Sequence, residues 1–511
     1  MTNHSAGRLR RCGCLLFCAL LCGALLSGCL PAAKESTPQT AVGEKVSAMP
    51  DDGKLRIYYD SRTYSGVIFC GATLLYSGAW NESTYLLTDD ADGSTDYYVA
   101  SYAQGSQKYV HGIYNRSGTC IYRCETGADI LGLAGGWLLT GRSYNGSSYD
   151  TSRFVNLKTG VTREGPASAM SFFAPSSGRL AVVTLNTASP DGPDSCTYST
   201  ELLDLSLQPV RTFEGQLLSS AEYLQPGLPA GWALLSAGGA DTADTSADSG
   251  EDAYAGGYVH SSLYNVDSGT ELTGLFCPCG GRYACFAGDS GYFVRDLATQ
   301  ETVYTCSRPC LLFLGNRSLY APDAGSEYSA VRLNADGTQT PVLGYDVNSE
   351  DGTAAVLTAQ ALEVYSAGGS LLYSVAADPH SDGEENYSYV TALTQGRCML
   401  ESDDLSGSTH YTVYTDSRTS FATDAYLSLY EETSGRLVGF RYGRSGTALY
   451  DLLDFSGNVL CADISSINGL AEDGMLPIRR GFTEGWADES GRWLWSRSIW
   501  QSPTDETSAN Y

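Results

Sequence analysis

A short motif, Gly followed by Arg or Trp and then an apolar run, returns along this chain and limits its fold more than any other feature. It stands at Gly136-Trp137-Leu138-Leu139, Gly178-Arg179-Leu180-Ala181, Gly231-Trp232-Ala233-Leu234, Gly281-Arg282-Tyr283-Ala284, Gly396-Arg397-Cys398-Met399 and Gly435-Arg436-Leu437-Val438. After a variable loop, a second pattern follows, in which alternating strands flank a Ser-Gly, Asp-Gly or Gly-Gly turn. Examples are GIYNRSGTCIY (112–122), LYNVDSGTELTG (263–274), LEVYSAGGSLLYSV (362–375) and LYDLLDFSGNVL (449–460). Such turns need positive φ, and the β-branched and aromatic flanks suit hairpins. No segment carries the 3.6-residue apolar period of a long amphipathic helix.

Counted from residue 97 to residue 496, ten such units recur at a mean spacing of about 40 residues, the period of four-stranded propeller blades. The expected fold is therefore all-β, a β-propeller of four-stranded blades in one ring of seven to ten. An open sheet of this length would leave edges that aggregate, and closure removes most of them. Ten units exceed the usual four to eight blades, so units sharing a blade, two rings, or a pair of β-sandwiches stay open as alternatives. The strand over Lys54–Asp60 is expected to pair with the last blade and close the ring. Residues 449–496 resemble tandem WG repeats, through Tyr450, Asp451, Gly457 and the stretch Gly485-Trp486-Ala487-Asp488-Glu489-Ser490-Gly491-Arg492-Trp493. That resemblance implies repeat architecture and a binding role, with no specific chemistry.

The N-terminus speaks to location. Arg8, Arg10 and Arg11 precede an uncharged apolar run from Cys12 to Leu26, which ends in Leu26-Ser27-Gly28-Cys29. This is the layout of a secretory signal peptide, and its end resembles the lipobox of bacterial lipoproteins. The resemblance implies cleavage before Cys29 and acylation of its thiol, which would fasten the protein to the membrane on its extracytoplasmic face. A run of about 15 residues is too short for a spanning helix, which takes roughly 20. Two or more acyl chains anchor stably where one does not. The expected organisation is a signal peptide over 1–28, a lipidated flexible linker over 29–53 rich in Pro, Ala, Ser and Thr, a propeller over 54–501, and a disordered tail over 502–511.

Charge narrows the partners. The chain of 511 residues has a net charge of −27, and loss of residues 1–28 leaves 28 basic and 58 acidic residues, a net charge of −30. Such a surface repels phosphate backbones, so nucleic acid is not an expected partner. Two acidic insertions, ASPDGPDS (188–195) and GGADTADTSADSGEDAYAGG (238–257), are too polar to pack and read as mobile loops.

Candidate chemistry is thin. Gly288-Asp289-Ser290-Gly291 echoes a serine-protease nucleophile loop, but a triad needs a base and an orienting acid, and a tight turn explains the same residues. Asp89-Asp90-Ala91-Asp92-Gly93-Ser94-Thr95-Asp96 resembles part of a calcium loop. Its position 12, counted from Asp90, is Ser101 rather than Glu, and strands flank it. Eleven cysteines follow Cys29. Their groupings (Cys120 with Cys124; Cys277, Cys279 and Cys285; Cys306 with Cys310) admit buried thiols, disulfides or, least of all, a metal, since zinc favours paired CxxC or His partners. The only histidines after residue 29 are His111, His260, His380 and His410. Trp137 and Trp232 occupy equivalent repeat positions and are expected in the core, whereas Trp493, Trp495 and Trp500 are candidates for a rim. No catalytic site, metal or cofactor is expected, and no enzyme activity. The function expected is a lipid-anchored, extracytoplasmic protein-binding or scaffold module of the cell envelope. The alternative is a glycan-binding protein or carbohydrate-active enzyme at the cell surface.

Overall fold

The computed structural model describes residues 43–498 apart from 61–64, 78–82, 104–108, 145–147, 188–196, 219–228, 237–260, 324–325, 327, 329, 335–337, 377–387, 404–407, 418–419, 433–434 and 468–472. Cys29, both acidic insertions, Trp500 and the 502–511 tail lie outside the described residues.

Strands alternate with turns from end to end, and every sheet pairing is antiparallel between near neighbours in sequence. Nine hydrogen-bonded sheets form. The eight-stranded one divides into two four-stranded units joined by the single pair Tyr149–Ala169. The seven-stranded one divides into two units that share the strand Gln339–Val347, whose first half pairs with Ala330–Leu333 and whose second half pairs with Ala354–Thr358. Eleven four-stranded units result among the described residues, numbered sheets 1 to 11 in chain order.

Packing arranges these units in a circle. Each sheet is apolar on both faces, because side chains alternate across the strand and both neighbours are sheets. Between sheets 2 and 3, Leu87, Val99 and Ile113 meet Leu133, Leu138 and Val155. Equivalent clusters fill every following interface: sheets 3 and 4, 4 and 5, 5 and 6, and onward to 10 and 11. Sheet 1 packs on sheet 2 through Ile68, Tyr76, Tyr98 and Tyr114. On its other side it packs on sheet 11, where Met49, Tyr58 and Phe69 meet Met475 and Trp486. The cycle of interfaces is closed, which makes the molecule an all-β propeller with one ring.

Closure differs from the expectation in its means. Leu55–Asp60 does not pair with the last sheet; it pairs with Ser65–Cys70 in its own sheet. The junction is made by side chains, with Trp495 edge-on to Phe69 at 5.2 Å and to Tyr58 at 5.8 Å. Arg56, 5% exposed, bonds Asp52 on its own side and Asp473 across the seam. Trp493 and Trp495 therefore serve packing between sheets rather than a rim. The sheet count also exceeds the expected seven to ten, because residues 44–77 build a full unit. Glu44–Lys45 pairs with Thr73–Ser77, and Met49 is buried, so the expected linker over 29–53 gives its last part to the ring.

In sheets 2 to 11, apart from sheet 7 whose fourth strand is shared with sheet 8, the fourth strand is the outer edge, as in Cys120–Arg123, Pro209–Glu214 and Glu301–Cys306. Antiparallel order places the first-to-second and third-to-fourth turns on one face of the ring. The second-to-third connections and the links between sheets emerge on the other, here called the loop face.

The recurring Gly-Arg/Trp motif marks the first-to-second turn, and at Trp137, Trp232, Arg397 and Arg436 the large side chain reaches the third-to-fourth turn of the next sheet, whereas Arg282 pairs with Asp296 of its own sheet. Trp137 Nε1 donates to Leu205 O at 3.0 Å, and Trp232 Nε1 donates to Leu297 O at 3.1 Å. Arg436 bonds Glu489 at 2.8 Å, and the Arg397 guanidinium lies 4.1 Å from the Phe455 ring centroid. Glycine matters on an inner strand too. A Cβ on Gly132 would stand 2.1 Å from Phe172 O, so only glycine lets the first strands of sheets 3 and 4 approach this closely.

Candidate functional site

A cleft of about 370 Å³ opens on the loop face between sheets 2 and 3. Tyr122 and Glu125 come from the end of sheet 2. Thr140 and Arg142 come from the second strand of sheet 3, Asp150 to Arg153 from its third, and Glu164 from its fourth. Glu125 is the hub, accepting from Arg142 Nη1 at 2.8 Å and from Arg153 Nη1 at 2.7 Å. Donating to Glu125 raises the Arg153 pKa. Burial raises the pKa of the Tyr122 phenol. Two guanidinium groups, three carboxylates and a tyrosine around one opening can bind a polar, hydroxyl-rich or zwitterionic ligand.

Beside the cleft, Ser101, His111 and Asp129 meet at the same interface. Ser101 Oγ lies 2.6 Å from His111 Nδ1, and His111 Nε2 lies 3.7 Å from Asp129. Nothing in the sequence pointed to this trio, because ten and eighteen residues separate its members and only the Ser101–His111 cross-strand pairing joins the first two. Ser101 is 2% exposed, which denies its hydroxyl a substrate, and 3.7 Å is beyond a hydrogen bond. Ser101 and His111 pair within sheet 2, and His111 faces Asp129 of sheet 3 across the interface.

The calcium-like loop has a structural use. The Asp89 carboxylate accepts from Gly135 N and Gly136 N, both at 2.7 Å, and from Ala91 N at 3.0 Å. Asp92 caps Ser94 N, and Asp96 pairs with Arg116. These carboxylates face amides and an arginine rather than a shared cation position, and no group of three or more His, Cys, Asp or Glu among the described residues is arranged to hold a metal. Gly288-Asp289-Ser290-Gly291 is a two-residue hairpin turn, closed by the pair Gly288–Gly291. The WG-like residues Tyr450-Asp451 and Gly485-Trp486 lie on the third strands of sheets 10 and 11. Asp451 there receives Arg441 at 2.7 and 2.9 Å.

Large exposed side chains gather elsewhere on the loop face. Tyr109, Tyr144, Tyr389, Leu427, Tyr442 and Phe482 are 49–63% exposed, and all sit at strand ends or connections on that face. They come from sheets 2, 3, 9, 10 and 11, which the seam between sheets 11 and 1 joins into one arc.

A family model described as a domain of unknown function (DUF5046) matches residues 263–506, from the third strand of sheet 5 through sheet 11. No curated protein matches the chain. Among solved structures, a eukaryotic initiation factor is similar at 10% identity, over 85% of this chain and 89% of that one, with a TM-score of 0.33. The β-propeller domain of the Trilobed protease from Pyrococcus furiosus is similar at 9% identity, over 71% and 91%, with a TM-score of 0.23. Dihydro-heme d1 dehydrogenase NirN is similar at 11% identity, over 77% and 76%, with a TM-score of 0.31. At scores this low, the class, an all-β propeller, rests on the sheet order and the closed cycle of interfaces. Among the described residues no helix is long and apolar enough to cross a membrane.

Proposed function

We propose that this protein is a lipid-anchored, extracytoplasmic scaffold that holds a protein partner on its loop face. The observation that carries the reading is the set of exposed Tyr, Leu and Phe side chains on that face, since exposed apolar and aromatic side chains are what protein partners cover. The signal-like run and Leu26-Ser27-Gly28-Cys29 support the anchor. The acidic balance supports a partner without nucleic acid.

The test is photo-crosslinking in cells from Tyr442 and Phe482, with Val303 and Leu372 on the outer strands as controls. The reading expects one discrete adduct from the loop face and none from the outer strands. Adducts from the outer strands only would overturn it. For the anchor, Cys29→Ala is expected to abolish palmitate labelling and move the protein from membranes to the soluble fraction. Unchanged labelling would overturn that half.

A second reading, glycan binding, is favoured by the cleft at Glu125, Arg142 and Arg153, where carboxylates and guanidinium groups can bond sugar hydroxyls beside a tyrosine face. A glycan array that lights up with the native protein and fades with Glu125→Gln would support it.

A further inference from the structure

Half of the ten described cysteines stand at a single one of the eleven interfaces, that of sheets 6 and 7. Two of them, Cys277 on the first strand of sheet 6 and Cys285 on its second, are direct partners in the antiparallel ladder. No other two cysteines among the described residues are opposed in this way; Cys306 stands opposite Tyr292, and Cys310 opposite Tyr320. Directly opposite residues of such a ladder have Cα atoms about 4.5–5.5 Å apart, inside the roughly 4.4–6.8 Å that a disulfide spans. Their side chains also project to one face of the sheet.

That face packs on sheet 7, and both sulfurs end there at the same residue. Cys277 Sγ donates to Cys310 O at 3.3 Å, and Cys285 Sγ accepts from Cys310 N at 3.3 Å. The N–H and C=O of one extended residue point to the same side of its strand. The two sulfurs therefore lie side by side along the inner strand of sheet 7, Cys310–Leu312. Cys285 is fully buried and Cys277 partly buried, which shields a bond between them from reductants.

We propose that Cys277 and Cys285 form a disulfide across the first and second strands of sheet 6. The oxidant is a small-molecule disulfide such as oxidised glutathione. The thiolate of one cysteine attacks it, which forms a mixed disulfide and releases one thiol. The thiolate of the other cysteine then attacks the protein sulfur of that mixed disulfide and releases the second thiol. Two S–H bonds break, one S–S bond forms in the protein, and the two electrons and two protons leave with the oxidant as two thiols. A change of rotamer turns both sulfurs from Cys310 toward each other. Cys310 O loses a weak S–H donor in the process. Burial pushes the Cys277 thiol up and keeps it protonated in the folded ring, so exchange takes place as the chain folds or when this interface opens.

The experiment refolds the full chain in a buffer of oxidised and reduced glutathione and, separately, under dithiothreitol, then digests each with trypsin without reduction. Arg282 and Arg295 bound a segment whose one cysteine is Cys285, so a link to that segment reports its partner. The oxidised protein is expected to lose two titratable thiols and to show segment 283–295 joined to the segment that ends at Arg282. Cys277→Ala should abolish that link, whereas Cys279→Ala, which changes the other nearby cysteine of the same segment, should keep it. The oxidised protein should also melt several degrees higher than the reduced one, and Cys277→Ala should lose that difference. An unchanged thiol count, a link from 283–295 to the segment after Arg295, or a link that survives Cys277→Ala would overturn the proposal. The thiol count and the linked segment are read on the native chain, so they decide the matter even where a variant fails to fold. Because the readout uses purified protein, it is independent of the anchor and of any partner.

Discussion

Three main-chain donors converge on the carboxylate of Asp89, and their positions decide what the acidic loop is for. Gly135 and Gly136 belong to the first turn of sheet 3, so one side chain of sheet 2 satisfies two amides of its neighbour. Asp89→Ala is expected to destabilise the fold by about 2–3 kcal/mol, the range for a charged acceptor removed from buried donors, and Asp89→Asn by less. Urea unfolding measures both, and equal losses would mean that charge plays no part. From sequence the loop looked like a cation site because closely spaced carboxylates are the signature of both uses. Only the partner in the neighbouring sheet separates them, and sequence does not display it. The cleft at Glu125 was illegible for a related reason: its residues come from five strands and links between 122 and 167, with no local spacing to mark them.

The Gly-Arg/Trp turn works as a latch between neighbours, which explains why residues so unlike one another share its position. A Trp indole N–H and an Arg guanidinium are both long, flat donors that can reach the next sheet's turn while their bodies cover apolar surface. Trp232→Phe keeps the ring but loses the bond to Leu297 O. It should cost about 1–3 kcal/mol in a denaturation series, and a neutral outcome would reduce the latch to simple packing. The repeat was legible wherever this latch exists. It failed to announce sheet 1, whose strands have no such start, and it hid the start of sheet 8, which begins inside a continuous strand instead of after a turn. Sheet 1 accounts for a count of eleven where ten units stood out from residue 97 onward.

At the scale of the ring, stability is tied to one non-covalent seam. Phe69→Ala removes the ring that meets Trp495 and should cost about 3–5 kcal/mol, seen as a large drop in Tm. The seam also sets an acid limit. Hydrogen bonds from Arg56 hold the Asp52 carboxyl well below its ordinary value of 3.8. A depressed carboxylate contributes stability that is complete above its unfolded pKa and is lost as pH falls below it. Tm should therefore decline below about pH 4, and Asp52→Asn should flatten that decline; an unchanged slope would place the acid limit elsewhere. At high pH the sign reverses. Burial raises Tyr114, Tyr365 and Tyr426 from 10.0 to about 12, and Cys398 from 9.0 to about 12. Groups held neutral in the fold stabilise it fully below their unfolded pKa, and that contribution fades toward pH 12. Tyrosinate absorbance should rise together with loss of circular dichroism. Ionisation at the ordinary midpoint with the fold intact would contradict this.

The strand Gln339–Val347 has a mechanical consequence. Because one peptide run serves both as the outer edge of sheet 7 and as the inner edge of sheet 8, a proteolytic nick there would strip two neighbours at once. A nick within 237–260 severs only a connection whose flanking strands keep all their partners. Tolerance of a cut should therefore be unevenly shared around the circle, with a nick in the doubled strand the most damaging and one within 237–260 the least.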